Sequence, residues 1–114
     1  MNKGGTNIIM VIYEYKLKGS NYQGCSFECD VLDGFTETLK TYKRKNGYPH
    51  MIRKEEIGKI KHSFDSVIYT TEENEKRAKK IFRKHVEREK SNLIDKYNRN
   101  LKIYNDQLTL LSGN

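Results

Sequence analysis

A chain of 114 residues, 35% apolar and 32% charged, has room for one small core rather than two. Its 22 Lys/Arg against 15 Asp/Glu leave a net charge of +7, which favours an anionic partner over a cationic one. The front half is rich in Ile, Val, Tyr and Phe, which excludes an intrinsically disordered chain, and eight tyrosines and four phenylalanines must supply much of the core's bulk.

The first nine residues are expected to be a flexible arm or a mis-called start. Lys3-Gly4-Gly5 is what a purine-rich ribosome-binding site reads as when translated, and Met10 follows shortly after. Residues 8–13 have one lysine before them and no small-residue cleavage site, so they do not form a signal peptide. No run reaches the roughly 18 apolar residues of a membrane-spanning helix. A cytoplasmic protein that does not engage a membrane is expected.

Residues 10–70 read as short strands. Ile9, Val11, Tyr13, Tyr15 and Leu17 alternate with Met10, Ile12, Glu14, Lys16 and Lys18, which is period two. Gly19-Ser20-Asn21 signals a turn. The next strand sets Cys25, Phe27, Cys29 and Val31 on one face, with Ser26, Glu28 and Asp30 on the other. The two cysteines, roughly 13 Å apart on such a strand, are beyond disulfide reach and read as buried thiols beside Phe27. Asp33-Gly34 signals a hairpin, a third strand covers residues 37–44, and Asn46-Gly47 closes another hairpin. Pro49 marks re-entry at a sheet edge. Residues 50–53 and 67–70 are the remaining strands, with a short strand or turn at 55–60. The fold class is therefore α+β. Its sheet part is a small antiparallel sheet, or partly open barrel, of about five strands in meander order.

Residues 71–112 read as one long helix. Thr70-Thr71-Glu72-Glu73 has the form of a capping box, and neither Gly nor Pro follows until Gly113. About 40 residues at 1.5 Å each make a helix near 60 Å long. Ala78, Ile81, Phe82 and Val86 can lie on the sheet. Farther on, Ile94, Tyr97, Leu101, Tyr104, Leu108 and Leu111 are spaced 3, 4, 3, 4, 3, a heptad seam over 94–111. Either the helix breaks near Ser91-Asn92 and folds the seam back onto its own domain, or the seam pairs with a second copy. A homodimer is the expectation.

Charge concentrates in the middle. Residues 40–62 hold eight Lys/Arg against two Asp/Glu, a net of +6, while residues 1–39 carry −2 and residues from 63 on carry +3. Here Tyr42, Tyr48 and His50 interleave with Lys43, Arg44, Lys45, Arg53 and Lys54. Phosphates are met by cations and nucleobases by aromatic faces, so the mixture suits a nucleotide or nucleic acid. Lys80, Arg83 and Lys84 on the helix could approach the same hairpin. The competing reading is a lysine-rich hairpin that only protects a sheet edge.

Catalysis has little support. No phosphate-binding loop, dinucleotide fingerprint, metalloprotease or nucleophile-elbow motif is present. Glu55-Glu56 reads as a turn, and His50, His62 and His85, each a conceivable general base, fall in no recognisable proton-transfer motif. Neither a cofactor nor a metal site is expected, and an enzyme is not.

The layout as a whole resembles a group of small proteins encoded by phages and prophages of Gram-positive bacteria. The likeness spans residues 11–90 and is most specific at Lys40-Thr41-Tyr42, Arg53-Lys54, Ile57-Gly58, and Ala78 with Ile81-Phe82. The basic stretch KRKNGYPH is where this chain departs from it. No catalytic or binding residue carries over. The resemblance implies a phage accessory protein in the bacterial cytoplasm, of the kind that neutralises a host defence. Function is thus read as non-catalytic capture of an anionic ligand that counters a host defence. The alternatives are a general nucleic-acid binder in phage replication or regulation, and an inhibitor that docks its long helix on a host enzyme; a host defence protein is a candidate partner.

Overall fold

The structure is a computed structural model describing residues 8–20, 22–62 and 65–113. Of the expected arm, residues 1–7 lie outside the described residues, whereas Ile9 already opens the first strand. The fold is α+β, a six-stranded antiparallel half-barrel followed by one long helix. In chain order the elements are β1 (Ile9–Ser20), β2 (Gly24–Glu37), β3 (Thr41–Arg44), β4 (Met51–Arg53), β5 (Ile60–His62), β6 (Ser66–Thr70) and α1 (Glu75–Leu111). Residues up to Phe82 form one compact unit and those from Arg83 a second.

The strand order β4-β3-β2-β1-β6-β5 is not the simple meander expected from turn spacing. The chain meanders from β1 to β4, then passes from one edge of the sheet to the other through a 3₁₀ turn at Lys54–Glu56. Glu56 holds that turn by accepting the Arg53 amide at 3.1 Å, and Gly58 ties its far side to β6 by donating to the Tyr69 carbonyl at 2.8 Å.

Asp33-Gly34 does not make the expected hairpin. It lies inside β2, a strand of 14 residues, at a bulge where Met10 pairs with Phe35 and Ile12 with Leu32. One β1 residue there faces two of β2, and Gly34 takes φ of +80°, which a side chain would resist. The bulge bends the strand and helps curl the sheet. The actual turn comes later, where Thr38 and Thr41 share a side-chain hydrogen bond of 2.6 Å between β2 and β3.

Both faces of the sheet are used, which is why both alternating sets of β1 carry apolar residues. Inside the curl, Ile12, Phe35, Ile52, Val67 and Tyr69 pack together with Met10, Leu32, Tyr42 and Ile57 around them. On the other face Tyr15 and Ile68 meet Ala78 and Phe82 of α1, flanked by Tyr13, Leu17, Phe27, Ile60 and Ile81. Phe27 stacks on Tyr15 at 6.2 Å and meets Phe82 edge-on at 6.1 Å. Each side chain fully buried this way is worth about 1.5–3 kcal/mol.

Glu14 is the exception on the inner face, a carboxylate only 6% exposed. Lys16 Nζ lies 3.4 Å from it, and the Tyr69 hydroxyl bonds to it. Burial first, and then the Glu14 charge, push the Tyr69 phenol far above its ordinary range, so it stays neutral and donates.

The cysteines differ from expectation. Cys25 and Cys29 are free, as expected, but exposed rather than buried. Only Phe27 between them reaches the helix, because α1 covers too little of β2 to shelter its neighbours. The Cys29 thiol is still raised, by partial desolvation first and then by Glu75, Asp30 and Glu73.

The helix begins four residues later than residue 71. Thr70 ends β6, and its hydroxyl donates to the Glu72 carbonyl rather than accepting a helical amide. Asn74 caps instead: its side-chain oxygen accepts the Arg77 amide at 3.2 Å. The Asn74 amide in turn donates to the buried Tyr15 hydroxyl at 2.7 Å, anchoring the cap to β1. From Glu75 to Leu111 the helix is unbroken, so the fold-back at Ser91-Asn92 does not occur.

Candidate anion-binding surface

The basic segment becomes the β3–β4 hairpin and the turn after it. The turn at residues 45–50 is closed by the Arg44 amide donating to the His50 carbonyl at 2.8 Å and contains a cis Tyr48–Pro49 peptide. Arg44 braces it from beneath. Its guanidinium lies 5.2 Å over the Phe35 ring, donates to the Tyr48 carbonyl at 3.3 Å, and sits 3.6 Å from Asp33. With the side chain 13% exposed and Nε buried without a partner, Arg44 is a structural arginine first.

Cross-strand pairing sorts the remaining candidates by face. Tyr42 pairs with Ile52, and both join the inner core, so Tyr42 is not an open stacking platform. Lys54 sits over the Tyr42 ring at 5.5 Å and is ion-paired with Glu37. On the outer face, Thr36, Lys43 and Met51 form one row, and Thr41 with Arg53 the next. Arg53 is exposed, 3.8 Å from Glu55.

Pairing of charges sorts them again. Lys61 lies 3.3 Å from Glu56; burial would raise that carboxyl, but the Arg53 amide and Lys61 hold it below its ordinary value. By contrast Lys40, Lys43, Lys45 and Lys59 make no ion pair among the described residues. Lys43 and Lys45 line an open cleft of about 910 Å³ with Thr36, Asn46, His50 and Ile9. Lys40 and Arg53 line a second, of about 490 Å³, with Thr41 and Leu39. Tyr48 is 83% exposed at the tip of the turn and meets the His50 ring edge-on at 6.2 Å.

The structure therefore brings Lys43, Tyr48, His50 and Arg53 to the surface of one hairpin and takes Tyr42, Arg44 and Lys54 into its support. Lys80 is exposed on α1, but the start of that helix covers β1, β6, β5 and the Phe27 end of β2, not β3 or β4. Arg83 and Lys84 are exposed in the second unit. Lys45, already named in the basic stretch, joins the surface, as do Lys40, Thr36 and Asn46, which sequence alone did not single out for the site. Lys45 was legible in KRKNG, while Thr36 needed the β2–β3 register. A further cleft of about 540 Å³ opens on the inner side, where Tyr48 and His50 face Glu14, Lys16, Lys61 and Tyr69.

In the second unit, Ile94, Tyr97, Leu101, Tyr104, Leu108 and Leu111 are all exposed, from 39% at Leu101 to 80% at Leu111. Among the described residues, no group of three or more His, Cys, Asp or Glu could hold a metal ion, and no helix is long and apolar enough to cross a membrane. Compared with protein families, curated proteins and solved structures, the chain matches none.

Proposed function

We propose that this chain is a non-catalytic binding protein whose β3–β4 hairpin holds a nucleic-acid strand by its phosphates. The observation that carries the reading is the set of exposed lysines without ion pairs, Lys40, Lys43 and Lys45, on a hairpin whose braced turn displays Tyr48 and His50, with His50 lining the same cleft as Lys43 and Lys45. Open clefts and point-charge cations suit a flexible polyanion, because lysine binds phosphate without demanding one geometry. Tyr48 supplies a face on which a base can stack. The resemblance to small phage-encoded proteins supports a setting in the bacterial cytoplasm, where such binding would serve an accessory protein that counters a host defence. A mononucleotide signal is the second reading, favoured by the inner cleft, where Lys16 and Lys61 stand near two aromatic rings.

Fluorescence anisotropy with a labelled single-stranded 12-mer across a salt series tests this. Every phosphate that the protein ceases to neutralise lowers the slope of log affinity against log salt by about 0.7. The Lys43→Gln, Lys45→Gln double variant should therefore bind more weakly and show a slope shallower by about 1.4. Tyr48→Ala should cost about 1–3 kcal/mol with the slope unchanged. Absence of binding by the unaltered protein at low salt, or an unchanged slope in the double variant, refutes the nucleic-acid reading. Binding of a free nucleotide that survives Lys43→Gln, Lys45→Gln but not Lys61→Gln would select the second.

A further inference from the structure

We infer that the second half of α1 is the docking surface for a second copy of this chain, paired antiparallel through the seam between Ile94 and Leu111. The seam lies on an unbroken helix, and all six of its side chains are exposed. In heptad terms Ile94, Leu101 and Leu108 take position a, and Tyr97, Tyr104 and Leu111 take position d. The positions flanking such a seam, e and g, govern which helix can approach it. Here they hold Asn98, Asn100, Asn105 and Gln107, four neutral carboxamides in a chain of net charge +7. The charges of this stretch, Asp95, Lys96, Arg99, Lys102 and Asp106, all fall at outward positions, where Lys102 and Asp106 pair with each other at 2.8 Å. A second basic copy can therefore come close without like-charge repulsion at the flanks. The carboxamides, each both donor and acceptor, can bond to one another across the boundary. A partner of opposite charge would find nothing at these flanks to recognise, which is why a like copy is the occupant that fits.

Side-chain size sets the direction. In a parallel pair each seam residue meets itself, so Tyr97 would face Tyr97 and Tyr104 would face Tyr104, alternating with smaller layers of Leu on Leu. In an antiparallel pair centred between Lys102 and Ile103, Ile94 meets Leu111 of the second copy, Tyr97 meets Leu108, and Leu101 meets Tyr104. Every seam residue then has a partner, each tyrosine faces a leucine, and four of the six layers hold the same pair of side chains. Even layers pack without the alternation of crowding and gaps that uneven layers impose. Ile103 and Leu110 lie on the far side of the helix and stay outside the pairing.

The protein should first be weighed. Sedimentation equilibrium should give twice the 13.5 kDa chain mass at micromolar concentration, and a monomer at several hundred micromolar overturns the inference. Direction is then read from cross-links in a Cys25→Ser, Cys29→Ser background, both positions being exposed. Differently tagged chains carrying Tyr97→Cys and Leu108→Cys are mixed, allowed to exchange and oxidised. The mixed 97–108 disulfide should exceed either self-linked product at least tenfold. Self-linked 97–97 and 108–108 products in excess overturn the antiparallel pairing. The mass measurement uses the unaltered chain, so a cysteine variant that folds poorly does not shield the inference. Neither result depends on nucleic acid, so the dimer and the binding reading stand or fall separately.

Discussion

Replacing Gly47 by alanine tests whether the basic turn is built around Arg44. Gly47 has φ of +97°, where an alanine is strained by about 1–3 kcal/mol. Its new Cβ would also stand 2.8 Å from Arg44 Cζ and 3.0 Å from both Nη atoms, closer than real contacts allow. A guanidinium at the end of a free side chain would simply swing away. This one is held between Phe35 and the Tyr48 carbonyl, so moving it forfeits a charge-assisted bond worth about 1.5 kcal/mol at a length of 3.3 Å. The single variant should therefore lose about 2.5–4.5 kcal/mol in urea unfolding. In an Arg44→Ala background nothing remains to be displaced, and the same substitution should cost only the backbone strain. A double-mutant cycle should then return a coupling of about 1.5 kcal/mol. Additivity within about 0.3 kcal/mol would refute the brace and leave Gly47 as an ordinary turn glycine.

Two further outcomes are expected. Tyr15→Phe removes the acceptor of the Asn74 amide, so it should destabilise the fold by about 1–2 kcal/mol in urea unfolding; a loss below about 0.5 kcal/mol would mean that solvent serves the amide equally well. The Tyr69 phenol is raised in the folded state, so its contribution is fully present below the ordinary tyrosine value near pH 10 and is lost as pH climbs above it. Stability measured upward from about pH 10 should thus fall more steeply for the unaltered protein than for Tyr69→Phe, and equal slopes would contradict the buried Glu14–Tyr69 pair.

Much of the fold was legible where a local rule acts alone. The period-two run of β1 and the uninterrupted run of α1 depend on nothing distant, and both are present, although α1 starts at Glu75 rather than at residue 71. The failures share a cause, namely dependence on a partner that is far away in sequence. Asp33-Gly34 carries the composition of a hairpin turn, but pairing with β1 on both sides of it turns it into a bulge. Thr70-Thr71-Glu72-Glu73 has the spacing of a capping box, yet Tyr15, 59 residues from Asn74, supplies the hydroxyl that fixes the true cap. The cysteines alternate with Phe27 as core residues would, but how far a helix extends over a strand is not a property of that strand. At the candidate site the concentration of charge was plain, while the division between bracing and displayed cations was not. That division follows from Asp33 and Glu37, which lie on β2 and reach the hairpin only through sheet register.

That division also decides what the excess charge means. Of the eight Lys/Arg between residues 40 and 62, Arg44, Arg53, Lys54 and Lys61 have carboxylate partners. Two of those carboxylates come from outside the segment, so the unpaired surplus is the four lysines Lys40, Lys43, Lys45 and Lys59. All four are exposed. Exposed charges repel weakly, because the Debye length near physiological salt is about 8 Å, so keeping them unpaired costs the fold little. Charge alone therefore cannot distinguish a binding stripe from a solvated edge. Chemistry favours the stripe: Arg44, one of the two arginines that could hold a phosphate rigidly, is spent on structure, while exposed Arg53, flexible lysines and the rings of Tyr48 and His50 are displayed on the hairpin it braces. Substituting Lys43 and Lys45 then disturbs no ion pair and no core packing, and surface changes of this kind stay within about 0.5 kcal/mol of stability. A drop in affinity in that variant is consequently a defect of binding and not of folding, which is why the salt slope can separate the two readings.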